Sequence, residues 1–223
     1  MAELYLVRHG QASFGTDDYD RLSTLGEQQS VWLGEYLSER KIDFDHVIIG
    51  TQLRHRQTAE GICLGMGRAP AFALHAGLNE YDFYALYNAL IKERPELKQS
   101  ASGNKQYFYK RLKEALLLWS TDALTGPLPE KWHAFAERIN SALGLIQQCG
   151  AQKVLVVSSG GPIGMLISQV LGAPATTAIE LNLQIKNASL SQFYFNEQSV
   201  KLASFNNIAH LDRADRLHAI TYG

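Results

Sequence analysis

The feature that most constrains the fold is the alternation of short apolar runs with segments of helical periodicity. Apolar runs occupy 3–7, 46–49, 72–74 and 153–157, and between them apolar residues recur every three or four positions. Strands that alternate with helices predict a mainly parallel sheet with helices on both faces. We therefore expect an α/β fold, organised as a three-layer α/β/α sandwich.

Local signals predict where several elements begin. Residues 24–27 match a capping box, Thr51 can cap a helix, and Pro162 suits the first position of the helix after the strongest strand. Two more strands are expected at 189–195 and 200–205, and a polar turn joins them.

Residues 76–130 differ from the rest of the chain because they are rich in Tyr, Leu and Lys. We predict that they are mostly helical and form a cap insertion over the C-terminal edge of the sheet, within a single domain of residues 1–223. Inside this segment, 105–111 mixes basic and aromatic residues, a combination found in nucleic-acid grooves. An amphipathic helix with a solvated basic face is the favoured interpretation.

Composition and charge exclude several classes of partner. With 21 Lys and Arg against 22 Asp and Glu, the net charge is −1, so no global field draws the chain to nucleic acid or to a membrane. The uncharged stretch 154–173 is long enough to span a bilayer, but the polar and glycine-rich residues 158–162 interrupt it. Cys63 and Cys149 are expected as buried thiols in a reducing cytosol. We therefore expect a cytoplasmic protein with no nucleic-acid or membrane partner.

Polar side chains follow three of the predicted strands. Arg8, His9 and Gly10 follow the first strand, Arg54 follows the second, and Ser159 follows the strongest one. Parallel sheets bind ligands beyond the carboxyl ends of their strands. We therefore expect these residues, although distant in sequence, to meet in one crevice.

The residue types in this crevice predict a phosphate site. Neutral imidazole is a competent nucleophile, and the guanidinium groups near His9 disfavour its protonation. Arginine forks match phosphate oxygens in pairs, and Gly10 would let the backbone approach the ligand. Gln11 and Ser13 are further candidates for the lining of the pocket, although both could equally be polar loop residues.

Five segments extend this pattern in a fixed order along the chain, at 6–12, 22–26, 54–59, 78–81 and 206–211. In order and spacing they resemble the sequence blocks of the histidine phosphatase superfamily, also called the phosphoglycerate mutase-like superfamily. The resemblance covers nearly the whole chain.

The resemblance implies a cofactor-independent phosphomonoester hydrolase that acts through a phosphohistidine intermediate on His9. Arg8 and Arg54 would clamp the phosphoryl oxygens. Glu80 would protonate the leaving oxygen, with Asp82 as the alternative acid. No metal or organic cofactor is implied, because the arginines supply the positive charge. The expected partner is a small phosphorylated substrate or a phosphoprotein.

One position departs from the family pattern. Ser159 stands where the family carries a second histidine, so the site loses a donor that could bear positive charge. Ser159 can still donate one hydrogen bond, and Gly160 can offer its backbone N–H to phosphate at a helix N-terminus. His55 and His210 are candidates to replace the missing ring. A phosphate-binding pseudoenzyme or interaction module is therefore the alternative function, and a phosphoglycerate mutase is a third.

Overall fold

The computed structural model describes residues 1–13, 20–69, 71–98 and 105–222. Within these ranges the strands are β1 (Ala2–Arg8), β2 (His46–Ile49), β3 (Ala73–Leu74), β4 (Lys153–Ser158), β5 (Leu190–Phe195) and β6 (Val200–Asn207). They form one sheet in the spatial order β3-β2-β4-β1-β5-β6. β1 to β4 run parallel, and β5 and β6 are antiparallel to their neighbours. The predicted mainly parallel sheet is confirmed.

Seven α-helices surround the sheet in the part of the chain that the structure describes. They are α1 (Thr24–Glu39), α2 (Leu53–Gly65), α3 (Phe83–Glu93), α4 (Lys105–Ser120), α5 (Trp132–Gln148), α6 (Gly160–Leu171) and α7 (Ala175–Gln184). Helix α7 was not predicted from the sequence. This helix follows Pro174 and has no side-chain cap, so it lacks the usual signal of a helix start.

Alternate residues of β1 face two different helical layers. Leu4 and Leu6 pack into a core with α3, α4, α5 and α6, whereas Tyr5 and Val7 pack against α1 and α2. Successive side chains of a strand point to opposite faces, so a strand buried along its whole length needs helices on both sides. The three-layer sandwich is confirmed.

The strand register brings three chain segments to the same edge of the sheet. Arg8 at the end of β1 lies opposite Ser158 at the end of β4, and Ile49 at the end of β2 lies opposite Val157. The loops after these three parallel strands therefore leave the sheet side by side. This is the edge at which ligands bind in open α/β sheets.

Three predicted helix starts are shifted by one or two residues. Ser23 caps α1, one residue earlier than predicted, and its Oγ accepts a hydrogen bond from a backbone N–H of the first turn. Gln52, one residue after the predicted Thr51, precedes α2 and makes no side-chain cap bond. The Thr51 hydroxyl instead accepts a hydrogen bond of 2.6 Å from Asn79. Pro162 is the third residue of α6. Proline is tolerated there because the first N–H groups of a helix have no partner within it.

The described part of the segment 76–130 is mostly helical, as expected. It contributes α3 and α4, whose Leu90 and Trp119 lie in the same core as Phe135 of α5. The ring of Tyr81 joins them, with its centroid 5.5 Å from Trp119 and 5.6 Å from Phe135. The core of this segment is thus continuous with that of the helical layer behind it.

The uncharged stretch 154–173 forms most of β4 and all of α6, with Ser159 between them. The strand is buried within the sheet, and α6 has 12 residues. None of the helices in the described ranges combines the length and the hydropathy that a membrane crossing requires.

Both cysteines are free thiols. Cys63 on α2 is buried as expected, and burial raises the pKa of its thiol. The expectation of a second buried thiol is wrong, because Cys149 follows the last turn of α5 and is only half-buried.

The close packing of α1 against α2 depends on Gly34. A Cβ at this position would lie 2.1 Å from the Ile62 carbonyl oxygen and 2.9 Å from the Gly65 Cα, and both are backbone atoms that cannot turn aside. We expect Gly34→Ala to lower the free energy of unfolding by about 1–3 kcal/mol, the usual cost of overpacking. Urea denaturation measures this change.

Gly144→Ala on α5 is the matched control for this variant. No atom lies within 4 Å of a Cβ built at Gly144. The higher helix propensity of alanine should therefore leave stability equal or raise it by up to about 1 kcal/mol. Equal stabilities of the two variants would contradict the close contact of α1 with α2.

Candidate functional site

A cavity of about 180 Å³ opens beside the carboxyl end of β1. Its charged end is formed by Arg8, His9, Arg54 and Glu80. The rest of its lining consists of Tyr81, Phe83, Phe108, Tyr109, Leu112, Asn182, Leu183 and Tyr222. The fold therefore brings four of the predicted site residues, from distant parts of the chain, to one cavity.

His9 lies at the centre of the charged end, with 4% of its surface exposed. Its backbone N–H donates to the Ser158 carbonyl at 2.9 Å. Its ring Nδ1 lies 2.7 Å from the Gly10 carbonyl oxygen. Because a carbonyl oxygen can only accept, Nδ1 carries the ring proton, and Nε2 of the neutral ring keeps its lone pair. This geometry leaves Nε2 available as a nucleophile.

Burial and neighbouring charges hold the pKa of His9 well below its usual range. Burial is the largest cause, followed by the guanidinium groups of Arg54 and Arg8. The ring of His55, whose centroid lies 5.9 Å away, acts in the same direction. His9 is therefore neutral at physiological pH and needs no separate base to deprotonate it.

Two arginines reach the cavity from different elements. Arg8 ends β1, and its Nη1 donates to the Ile185 carbonyl oxygen. Arg54 lies in the first turn of α2 and is 4% exposed. It donates from Nη1 to Asp20 at 2.6 Å and from Nη2 to Gln52 at 3.0 Å. These bonds hold both guanidinium groups in place beside His9, where their charge can act on an anion.

Glu80 sits at the N-terminus of α6. Its Oε2 accepts a hydrogen bond of 3.1 Å from the Gly161 N–H, and its Oε1 accepts one of 3.2 Å from the Tyr81 N–H. Burial raises the pKa of Glu80, although these bonds and the charges of Arg54 and Arg8 act in the opposite direction. A carboxyl group with a raised pKa keeps its proton closer to neutral pH, as a general acid must.

The alternative acid, Asp82, has a different place. It is exposed and caps α3, where its Oδ1 accepts a hydrogen bond of 2.8 Å from the Ala85 N–H. It does not line the cavity. The geometry therefore favours Glu80 over Asp82 as the acid.

Ser159 lies outside the lining of the cavity. It is fully buried, and its Oγ lies 2.7 Å from Nε2 of His55, which is also fully buried. Nδ1 of His55 has no hydrogen-bond partner in the described part of the chain. A proton on Nε2, donated to Ser159, is thus the arrangement that leaves no buried N–H unpaired. His55 is the candidate histidine that the fold places beside both Ser159 and His9.

His210, the other candidate for a replacement ring, lies elsewhere. It is buried, and its ring centroid lies 6.2 Å from that of Tyr36 on α1. Burial lowers its pKa to about 3, with a smaller effect from Arg216. It does not line the cavity, so the geometry gives it no part in binding an anion there.

Three further residues predicted for the site do not line the cavity, namely Gln11, Ser13 and Gly160. Gln11 accepts a hydrogen bond of 2.8 Å from the residue that caps α1, and Ser13 donates to a backbone carbonyl at 3.1 Å. Gly160 is the first residue of α6. The next residue, Gly161, donates its N–H to the Glu80 carboxylate, and the expected bond from the Gly160 N–H to phosphate stays a prediction.

Gly10 makes room for a helix. A Cβ at Gly10 would lie 2.3 Å from the carbonyl oxygen of Gly26 in α1. The expectation that Gly10 opens space for a ligand is therefore replaced by a packing role. The missing side chain lets the loop after β1 approach the first turn of α1.

The described residues contain no cluster of three or more His, Cys, Asp or Glu side chains placed to hold a metal ion. The neighbouring rings of His9 and His55 each use a nitrogen in a hydrogen bond within the protein. Positive charge at the cavity comes from Arg8 and Arg54.

The apolar wall of the cavity was not predicted from the sequence. Phe108 and Tyr109 belong to the basic and aromatic run 105–111, which was the one available signal, and they line the cavity. Asn182 and Leu183 belong to α7, which the sequence did not predict. The substrate-facing part of a pocket is thus harder to find than its charged part, because apolar lining residues look like core residues in a sequence.

Comparison with known proteins shows the family of the chain. A model of the histidine phosphatase superfamily, branch 1, matches residues 4–208. A Citrobacter koseri protein named "Probable phosphoglycerate mutase GpmB" is 28% identical in an alignment of 231 positions that covers 95% of this chain and 96% of that protein.

Two solved structures share the fold. Phosphoserine phosphatase from Entamoeba histolytica, in complex with 3-phosphoglyceric acid, has a TM-score of 0.67 and 21% identity, covering 95% of this chain and 100% of that one. Alpha-ribazole phosphatase from Shigella flexneri has a TM-score of 0.66 and 20% identity, covering 93% and 97%. At these identities the likeness concerns the fold alone.

Proposed function

The chain belongs to the histidine phosphatase superfamily, branch 1, and on this premise we propose that it is a cofactor-independent phosphomonoester hydrolase. The observation that carries the proposal is the meeting of His9, Arg8 and Arg54 in one cavity. A phosphoryl group carries negative charge on several oxygens and accepts a nucleophile at phosphorus. Two guanidinium groups match the charged oxygens, and the neutral imidazole beside them matches the phosphorus atom.

The reaction has two steps. Nε2 of His9 attacks phosphorus in line, while Arg8 and Arg54 hold the phosphoryl oxygens and offset the charge that develops on them. The ester P–O bond breaks, and the leaving oxygen takes the proton of the Glu80 carboxyl group. The Glu80 carboxylate then takes a proton from the water that attacks phosphorus, and the P–N bond to His9 breaks, which returns the electron pair to Nε2. Inorganic phosphate leaves, and His9 and Glu80 return to their starting states.

A phosphoryl group on His9 is the intermediate that tests this proposal. We expect brief mixing with a radiolabelled phosphomonoester, followed by denaturation, to label the protein with an acid-labile, base-stable group. Peptide mapping should place the label on His9. His133→Ala, which removes an exposed histidine of α5, should be labelled like the wild type. Steady turnover with no label, or with the label on another residue, would contradict the mechanism.

A phosphate-binding pseudoenzyme is the second candidate, and Ser159 is the observation that motivates it. Its hydroxyl bonds to His55 and lies outside the cavity lining, so this position offers no charged donor to a bound phosphate. The pseudoenzyme predicts binding of phosphate or vanadate without turnover of any phosphomonoester. Release of phosphate that depends on His9 would exclude it.

A further inference from the structure

The apolar wall of the cavity, formed by Phe83, Phe108, Tyr109, Leu112 and Leu183, has no part in the phosphoryl transfer. We infer that this wall binds the alcohol part of the substrate, and that the substrates are phosphomonoesters of alcohols bearing an apolar chain or an aromatic ring. The inference rests on the proposed function and specifies the substrate class of the same site.

The two ends of the cavity differ in charge. Among the described residues, the lining contains two cationic side chains, Arg8 and Arg54, and both lie beside His9. The apolar wall carries no cationic residue within the described ranges. Tyr109 lies within range of the Arg8 charge, but a carboxylate placed against Phe83, Phe108 or Leu183 would lose water without a cationic lining residue beside it, which is costly. The wall therefore disfavours phosphorylated sugar acids and favours apolar alcohols.

The polar groups near the wall are already engaged or neutral. The side-chain amide of Asn182 donates to the Tyr81 hydroxyl at 2.9 Å. Burial raises the pKa of Tyr109, so its phenol carries no charge at neutral pH. These groups can still bond to a substrate hydroxyl, but the five side chains of the wall present mostly apolar surface, against which an apolar substrate gains by leaving water.

The wall is assembled from packed rings. The centroid of Phe108 lies 6.1 Å from that of Phe83 in an edge-to-face arrangement and 5.2 Å from that of Tyr87. Two basic side chains of the same helix α4 are held by carboxylates, since Arg111 pairs with Glu114 at 2.8 Å and Lys113 pairs with Glu180. An aromatic surface that is ordered before binding loses little conformational entropy when a ligand arrives.

The test is a series of esters that differ in apolar length but share a primary alcohol as leaving group. We measure kcat/KM for ethyl, butyl, hexyl and 2-phenylethyl phosphate and for 3-phosphoglycerate. Each buried methylene should raise kcat/KM roughly three- to fourfold, which corresponds to about 0.8 kcal/mol. 3-Phosphoglycerate should be no better than ethyl phosphate. A flat series, or a preference for 3-phosphoglycerate over hexyl phosphate, overturns the inference.

Two variants address the wall directly. Phe108→Ala should lower the ratio of kcat/KM for 2-phenylethyl phosphate to that for ethyl phosphate by roughly tenfold or more. Leu183→Arg places a cation on the wall and should shift the preference toward 3-phosphoglycerate. Leu117→Ala, on the exposed side of α4 and outside the lining, is the control and should keep the wild-type ratios. Unchanged ratios in Leu183→Arg would show that the wall does not contact the alcohol part.

p-Nitrophenyl phosphate separates failure of the substrate class from failure of the proposed function. If the wild type hydrolyses this ester through His9 while the alkyl series is flat, the substrate class is wrong and the function stands. If no ester is hydrolysed, the function is wrong. In that case calorimetry measures the affinity of the protein for the matching alkylphosphonates. The inference requires this affinity to rise with chain length, and an affinity that does not rise refutes it.

Discussion

Replacing His9 with alanine is expected to lower kcat/KM for a phosphomonoester by at least about 10³-fold, because the nucleophile and the covalent path are lost together. The variant should still fold. The backbone N–H of residue 9 keeps its bond to the Ser158 carbonyl at 2.9 Å, and its carbonyl keeps the bond from the Ala188 N–H at 3.2 Å. Arg8 and Arg54 remain, so phosphate should still bind.

Steady-state kinetics with p-nitrophenyl phosphate, together with circular dichroism and vanadate binding, measure this effect. His133→Ala is the control for the loss of a histidine, because the His133 side chain is exposed on α5 and does not line the cavity. A folded His9→Ala protein that turns over the ester at the wild-type rate would contradict the assignment of His9 as the nucleophile.

Replacing Glu80 with glutamine is expected to lower kcat for alkyl phosphates by about 10²–10⁴-fold, the usual contribution of a general acid. The loss should be much smaller for p-nitrophenyl phosphate, because nitrophenolate is a stable leaving group that hardly needs a proton. The amide oxygen of glutamine can still accept one of the two backbone hydrogen bonds that Glu80 accepts, from the Gly161 N–H or from the Tyr81 N–H, so part of the local hydrogen bonding is kept, and circular dichroism checks the fold. Comparing the two substrates measures the proton transfer itself.

The pH dependence of kcat tests the role of Glu80 as the acid independently. Glu80 must be protonated to act, so kcat should fall as pH rises through its raised pKa. His9 must be neutral, so the acid limb should lie below the usual histidine range, because the pKa of His9 is lowered. The optimum is therefore expected between the lowered pKa of His9 and the raised pKa of Glu80. In Glu80→Gln the alkaline limb should disappear.

Asp82→Asn is the matched control for the acid. Asparagine can still cap α3 by accepting the hydrogen bond from the Ala85 N–H. We expect both the turnover of alkyl phosphates and the alkaline limb to stay as in the wild type. If instead Asp82→Asn loses the alkaline limb and Glu80→Gln keeps it, the roles of the two carboxyl groups are reversed.

The sequence by itself determined the layered architecture and the position of the charged residues along it. β1 and β4 are continuous apolar runs, and β1 is buried on both faces, so helices had to cover both sides. Arg8 is the last residue of β1 and His9 follows it, and Arg54 lies in the helix that comes shortly after β2. Their meeting could be predicted because parallel strands end at one edge of a sheet, whatever the loops between them do.

Only the tertiary structure decided the details that depend on contacts between distant residues. His55 and Ser159 are 104 positions apart, and no local pattern indicates that their side chains share a hydrogen bond. Glu80 and Asp82 look alike in sequence, but one meets the N-terminus of α6 and the other caps α3.

The apolar wall is the clearest example of this difference. Phe83, Phe108 and Leu183 come from three helices and resemble core residues in the sequence. Whether such a side chain faces a core or a cavity depends on how the helices of 76–130 and α7 pack over the sheet. Hydrophobic patterning predicts that a side chain leaves water, whereas the packing of distant elements decides whether protein or substrate covers it.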